Sequence, residues 1–156
     1  MDDLNAGLRQ APYYFAFDIS GALLIEQQAP YSINVDNVFI DGYTQPGSKV
    51  PGYKDIPGMM YLTPGIMGVE LSGSAGSSDG IRLFGSDTSK VRGLALTNFS
   101  EKAISVQNSN FVKITGNHVG MNLDGSSSGP NQKGVCLLYT SPSPRDRTRS
   151  RMPSSA

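Results

Sequence analysis

The chain has little cysteine and little histidine. Its 156 residues include one cysteine, Cys136, and one histidine, His118. A single cysteine leaves no partner for an intrachain disulfide, and it lies outside the repeated part of the chain described below. A lone histidine, with no histidine, cysteine or carboxylate at ligand spacing, is a poor metal site and lacks an orienting partner as a general base. The composition therefore excludes a disulfide framework and argues against histidine-based chemistry.

Long apolar runs are also missing. The run from Tyr13 to Phe17 is too short to cross a bilayer or to form the core of a signal peptide. The start, Met1-Asp2-Asp3, has no basic residue of the kind that opens a signal peptide. We therefore expect no membrane span, and we expect either a cytoplasmic chain or, as we prefer, one that starts inside a longer gene.

Residues 136–156 differ in character from the rest of the chain. Residues 136–146 resemble the translation of a transposase-type sequencing adapter, and residues 150–156 resemble the flow-cell end that follows it. A basic, Ser/Pro-rich disordered tail is the alternative that composition allows. We interpret residues 136–156 as a non-native disordered tail and Val135 as the last residue that the organism encodes.

Charge is balanced only when this tail is counted. The whole chain has 13 basic and 13 acidic side chains. Without the tail, residues 1–135 have 9 basic and 12 acidic side chains, a formal charge of −3. A nucleic-acid-binding protein is expected to carry a basic stripe interleaved with aromatic residues. The sequence therefore predicts no nucleic-acid partner.

A short phrase occurs twice between residues 80 and 119. Residues 80–83 (GIRL) return as residues 103–106 (AISV), and Ser86 returns as Ser109, at a period of about two dozen residues that is typical of stacked repeats. Apolar and polar residues alternate inside each phrase, which indicates strands. The alternating apolar residues are Ile81, Leu83, Leu94, Leu96, Ile104, Val106, Val112 and Ile114.

Short strands at this period predict a parallel β-helix, in which each strand pairs with its equivalent one coil away. The alternating apolar residues should face the core, and Arg82, Ser105 and Lys113 should face solvent. Further strands are expected at residues 15–19, 23–25, 33–40 with a bend at Asn37, and 69–71. Residues 44–64 contain four prolines and predict an excursion without a central strand, and residues 121–132 predict a second loop.

Four phrases carry a family resemblance, at residues 38–47, 69–73, 91–100 and 115–120. Their order and spacing resemble the right-handed parallel β-helix repeats of large exported bacterial proteins, over about residues 15–135. The resemblance implies an all-β solenoid in a secreted or cell-surface protein, with neighbouring coils or domains as its partners. Residues 1–14 are then the remnant of an N-terminal cap, with a short helix that Pro12 ends.

Five residues are candidates for ligand binding, with carbohydrate as the expected ligand. They are Asp41, Gln45, Asn98, Asn117 and His118. The alternative is structural, since Asp-Gly at a strand end forms turns, and asparagine at equivalent bends of stacked coils bonds its own backbone, forms a ladder and tolerates left-handed geometry. Asn122, Asp124 and Asn131 lack the spacing of a calcium loop, so we expect no metal and no cofactor.

Pectate lyases and polygalacturonases resemble this architecture, so one hypothesis is that the chain belongs to an enzyme. Their chemistry needs paired carboxyl groups, or a base beside a calcium-bound uronate. The charges expected to face outward, such as Arg82, Arg92, Lys102 and Lys113, appear scattered. We therefore expect a noncatalytic scaffold for adhesion or carbohydrate binding, with a fragment of a polysaccharide lyase or glycoside hydrolase as the alternative.

Overall fold

The computed structural model describes residues 12–56, 59–63 and 65–138, without the side chains of residues 53–56 and 59–63. The predictions made for residues 1–11 and 139–156, which concern the capping helix and most of the tail, lie outside this part of the chain.

The described chain runs through four coils, and each coil supplies three short strands. The first coil holds β1 (Tyr13–Ala16), β2 (Leu24–Glu26) and β3 (Tyr31–Ile33). The second holds β4 (Val38–Asp41), a hairpin of β5 (Gly52–Ile56) and β6 (Met59–Thr63), then β7 (Val69–Ser72) and β8 (Ile81–Phe84). The third holds β9 (Lys90–Arg92), β10 (Leu94–Thr97) and β11 (Lys102–Gln107), and the fourth β12 (Lys113–Thr115), β13 (His118–Val119) and β14 (Lys133–Leu138).

Three four-stranded sheets form because each strand pairs with its equivalent in the next coil. Sheet A has the order β1-β4-β9-β12, sheet B the order β2-β7-β10-β13, and sheet C the order β3-β8-β11-β14. Every pair within these sheets is parallel. Apart from two single turns of 3-10 helix, at Gly42–Thr44 and Gly73–Ala75, the described residues contain no helix. The chain is a right-handed parallel β-helix, which confirms the predicted fold class.

The repeated phrase predicts the pairing of β8 with β11 residue by residue. Ile104 lies opposite Ile81, and Val106 lies opposite Leu83. The predicted correspondence at the following bend is also confirmed, because the Ser86 N–H donates a hydrogen bond of 2.9 Å to Ser109 Oγ.

The core is a column of aliphatic side chains stacked from coil to coil. Alternation turns every second residue of a strand inward, and the in-register pairing places each one against its equivalent. The fully buried members include Ile33, Val38, Ile40, Val69, Leu71, Ile81, Leu83, Val91, Leu94, Leu96, Ile104 and Val106. Val112 and Ile114 pack against this column but are only half-buried, since among the described residues one neighbouring coil covers them.

The expectation that Ser105 is exposed is wrong. Lys113 is exposed and the Arg82 side chain is 45% exposed, as predicted, but Ser105 is only 1% exposed. In the pairing of sheet C, Ser105 lies between Arg82 and Cys136. These side chains flank it on both sides and the Gln107 amide donates to its hydroxyl at 3.3 Å, so Ser105 is shielded from solvent although it lies on the outer side of the sheet.

The excursion after β4 adds no strand to the three parallel sheets, as predicted, but it contains the antiparallel pair β5–β6, which the sequence analysis missed. Neither strand contains a proline, so the four prolines do not interrupt the pair. The excursion leaves and rejoins the coil where Gly42 and Gly68 meet. A Cβ on Gly68 would lie 1.8 Å from Gly42 O, so only glycine allows this approach.

The last described strand crosses the predicted boundary at Val135. β14 continues to Leu138, so residues 136–138 are paired with β11 and the prediction of disorder is wrong for them. The physical reason is the alternation of Val135 and Leu137, which places both opposite the buried residues Ile104 and Val106.

The bends follow the prediction for asparagine. Asn37, Asn98 and Asn108 have φ angles of 58°, 59° and 49°. These values lie in the left-handed region, which asparagine tolerates better than most residues. Asn37 separates β3 from β4, so the predicted strand over residues 33–40 is in fact two strands that belong to different sheets.

Ile104→Asp tests the register of the core. The substitution places a carboxylate in the apolar column, and we expect it to lower the free energy of unfolding by at least about 3 kcal/mol. Lys113→Asp, on the outer side of sheet A, should not lower it by more than about 0.5 kcal/mol. Urea unfolding followed by circular dichroism measures both. Similar losses in the two variants would contradict the register.

Candidate ligand-binding site

Gln45 does not face a ligand surface. It is 4% exposed, and its amide bonds both backbone groups of Ile19 in the preceding coil. The Ile19 N–H donates to Gln45 Oε1 at 2.8 Å, and Gln45 Nε2 donates to the Ile19 carbonyl at 3.0 Å. The side chain thus takes the place of a neighbouring strand's peptide group.

Asn117 performs the same role at the same corner, between sheets A and B, two coils later. Its Oδ1 accepts a hydrogen bond of 3.1 Å from the Leu94 N–H, and its Nδ2 donates to the Val91 carbonyl at 3.0 Å. Asn131, which was considered only as a calcium ligand, makes the equivalent pair. It accepts from the Phe99 N–H and donates to the Leu96 carbonyl, each at 2.9 Å. Both asparagines bond the backbone of the adjacent coil rather than their own.

Asn98 and His118 lie near sheet B but make separate local contacts. Asn98 is exposed at the bend after β10, and its Nδ2 donates to Ser72 Oγ at 3.2 Å. His118 is half-buried in β13, with Nδ1 3.0 Å from the carbonyl of Asn122. Neither of these hydrogen bonds involves another of the five candidates.

Asp41 lies on a different surface, the outer side of sheet A. Its carboxylate accepts a hydrogen bond of 3.1 Å from the Tyr43 N–H and forms an ion pair with Arg92. The hydrogen bond to Asp41 raises the pKa of Arg92. Arg92 also lies over the Tyr43 ring, 6.0 Å from its centroid, and burial raises the pKa of Tyr43. The five candidates are therefore distributed over several corners and sheets.

A groove on the outer side of sheet C brings together polar residues that were not chosen from the sequence. It has a volume of about 430 Å³. Its walls include Asn34, Asp79, Arg82, Phe84, Lys102 and Gln107. Charged groups that appeared scattered along the chain meet here because β8 and β11 are neighbours.

Alternation on two paired strands explains how the groove forms. Arg82 and Phe84 occupy the outward positions of β8, and Ser105 and Gln107 occupy those of β11. Phe84 is 54% exposed, which is high for an aromatic residue on a strand. Gln107 Nε2 donates to Ser105 Oγ at 3.3 Å, so its amide lies along the groove floor.

Asp79 holds the two basic residues of the groove, Arg82 and Lys102, in place. Its side chain is 3% exposed and accepts hydrogen bonds from Arg82 Nε at 2.6 Å and from the Lys102 N–H at 2.9 Å. Burial acts to raise the pKa of Asp79, but the hydrogen bonds from Arg82 and Lys102 outweigh it and lower that pKa below its usual value. Asp79 is therefore an ionised carboxylate that positions Arg82.

The sequence held one signal for this groove, the aromatic Phe84 at a position where alternation predicts exposure. The pairing of β3, β8 and β11 was needed to show that Asn34, Arg82 and Gln107 surround it. Polar lining residues from three coils are separated by dozens of positions in the chain, so no local motif marks them.

Within the described residues, no group of three or more His, Cys, Asp or Glu side chains is arranged to hold a metal ion. No helix in that part of the chain is long and apolar enough to cross a membrane. Comparison with protein-family profiles, with curated proteins and with solved structures gave no match to this chain.

Asn117→Ala tests the role of the corner amides. The variant leaves the Leu94 N–H and the Val91 carbonyl without their partner, and we expect a loss of about 1–3 kcal/mol in the free energy of unfolding. Asn110→Ala is the matched control, because the exposed Asn110 amide donates at 3.3 Å to the Asp87 side chain and not to buried backbone, and its loss should cost less than about 0.5 kcal/mol. Chemical denaturation compares the two. An Asn117 variant as stable as the control would contradict the structural role.

Asp79 should make the fold sensitive to acid. Because its pKa is lowered in the folded state, it contributes stability above its unfolded pKa, and this contribution is lost as the pH falls through the folded value. We expect the free energy of unfolding to fall as the pH drops below about 4, the usual pKa of an aspartate in an unfolded chain, and to fall less steeply in Asp79→Asn. Urea unfolding across this range measures both slopes. Equal slopes would show that Asp79 is not the group responsible.

Proposed function

We propose that this chain is a noncatalytic β-helix segment of a secreted or cell-surface bacterial protein, and that it binds carbohydrate in the groove of sheet C. The observation that carries the proposal is an exposed aromatic ring, Phe84, beside amide and guanidinium groups on two paired strands. The bacterial source and the export rest on the family resemblance of the repeats, as do neighbouring coils or domains as partners.

The groove offers the two kinds of contact that a sugar requires. The apolar C–H face of a sugar ring can pack on the Phe84 ring, and its hydroxyl groups can exchange hydrogen bonds with Gln107 and Asn34. Arg82 supplies further donors, and Asp79 fixes their direction. Because these groups lie on or next to paired strands, little conformational entropy is lost when a ligand binds.

Among the described residues, the groove is lined by a single carboxylate, which favours binding over catalysis. Glycoside hydrolysis uses two carboxyl groups on either side of the scissile bond. The residues that line the groove include one carboxylate, Asp79, and its oxygens are taken by Arg82 and Lys102. Its lowered pKa is also unsuited to a general acid, which needs a raised one.

Phe84→Ala tests this proposal. Neutral oligosaccharides of several linkages are titrated into the chain in a calorimeter, and we expect the variant to bind the recognised glycan at least about tenfold more weakly. Phe111→Ala is the matched control, since Phe111 is an aromatic residue 80% exposed outside the groove. It should bind as the unchanged chain does.

Two results would contradict the proposal. If no neutral glycan binds, or if Phe84→Ala binds as tightly as the control, the groove is not the site. If the chain releases reducing or unsaturated sugars from a polysaccharide, the noncatalytic assignment is wrong.

A further inference from the structure

A second surface, on the outer side of sheet A, carries an ordered row of four side chains. Tyr14, Phe39, Lys90 and Lys113 lie opposite one another in the register of β1, β4, β9 and β12. The Tyr14 and Phe39 rings are stacked, with centroids 5.0 Å apart and planes 14° from parallel. The row therefore has an aromatic half and a cationic half. We call it the sheet A row.

The cationic half is electrostatically unfavourable by itself. Like charges directly opposite each other on neighbouring strands destabilise a sheet. Neither Lys90 nor Lys113 forms an ion pair with any described residue. The two ammonium groups thus repel each other, and no carboxylate in the described part of the chain is paired with either of them.

Another lysine pair in the same solenoid shows how such repulsion is normally relieved. Lys102 and Lys133 also lie opposite each other, in sheet C. Lys102 Nζ lies 3.1 Å from a Glu101 carboxylate oxygen and 4.0 Å from one of Asp79. Among the residues that the structure describes, an acidic partner is present at that pair and none is paired with the lysines of the sheet A row.

A shallow pocket connects the two halves of the row. It has a volume of about 230 Å³ and is lined by Tyr14, Phe39, Asp41, Lys90 and Arg92. The Arg92 charge is neutralised by Asp41, so the unpaired positive charge at the pocket belongs to Lys90. The pocket therefore presents an apolar wall and one uncompensated cation to the same ligand.

We propose that the sheet A row binds a linear anionic polysaccharide that runs along the solenoid axis. Its acidic groups lie over Lys90 and Lys113, and a sugar ring packs beside Phe39 and Tyr14. The inference rests on the proposed function in that both ligands are carbohydrates, but it concerns a different surface and a different class of sugar.

The geometry suits a polymer with a short, regular repeat. Neighbouring strands are about 4.8 Å apart, a distance close to the length of one sugar in an extended chain. Acidic groups on successive sugars can therefore meet successive lysines. Duplex DNA suits the surface less well, because it carries far more charge than two lysines neutralise and residues 1–135 carry a formal charge of −3.

The test uses alginate as the anionic probe, with dextran as the neutral polymer of similar kind, on the full chain. We expect the double variant Lys90→Gln/Lys113→Gln to bind alginate at least about tenfold more weakly than the unchanged chain and with a smaller salt dependence. Lys49→Gln/Lys133→Gln is the control, because it removes the same charge from two exposed lysines outside the row. Its alginate affinity should stay within about twofold.

A stability measurement adds a second readout on the same variants. Because Lys113→Gln removes repulsion with Lys90, it should raise the thermal unfolding midpoint of the ligand-free chain. The gain should disappear when the chain is saturated with alginate, since the ligand relieves the same repulsion. An unchanged or lower midpoint without ligand would contradict the repulsion on which the inference depends.

The outcomes separate this inference from the proposed function. Equal loss of alginate binding in both double variants would mean nonspecific attraction and would overturn it, as would competition by duplex DNA at the same affinity. Alginate binding that is lost in Phe84→Ala but kept in Lys90→Gln/Lys113→Gln would move the anionic ligand to the sheet C groove. Neutral glycan binding without alginate binding would overturn this inference alone, and alginate binding without neutral glycan binding would overturn the proposed function alone.

Discussion

The structure depends on one requirement, that every coil satisfies the backbone groups of the coil beside it. Along the strands, in-register parallel pairing does this directly. At the corners the strands end, and buried N–H and carbonyl groups remain that would each cost free energy if unpaired. Gln45, Asn117 and Asn131 meet this need, since each amide donates to one backbone carbonyl and accepts from one N–H of the preceding coil.

This requirement explains why polar residues at the corners are poor guides to function. An amide has one donor side and one acceptor side, which makes it suitable both for a sugar and for a peptide group. Two of the five residues predicted as ligand contacts, Gln45 and Asn117, use both the amide N–H and the amide oxygen in hydrogen bonds to the backbone. Surfaces free to bind a ligand are then the flat outer faces of the sheets, where alternation supplies side chains that the backbone does not need.

The fold could be predicted from the sequence because its repeat is local. Alternation within residues 80–83 and their recurrence at residues 103–106 sufficed for the pairing of β8 with β11. Burial of Ser105 could not be predicted in this way, because it depends on the size of the side chains in the two adjacent coils. The groove was missed for the same reason, since Asn34, Arg82 and Gln107 meet only through two strand pairings, β3 with β8 and β8 with β11, whose chain separations differ.

The two outer faces differ in how their charges are balanced, and this difference gives each face its own chemistry. In sheet C the acidic partner is built in, because Asp79 holds Arg82 and lies near Lys102, so the groove is polar but locally neutralised. In sheet A, Asp41 neutralises Arg92, and no described residue forms an ion pair with Lys90 or Lys113. A solenoid repeats its backbone but not its outward side chains, so neighbouring faces of one scaffold can be shaped independently. Ligands of different charge can then be held side by side without any change to the core.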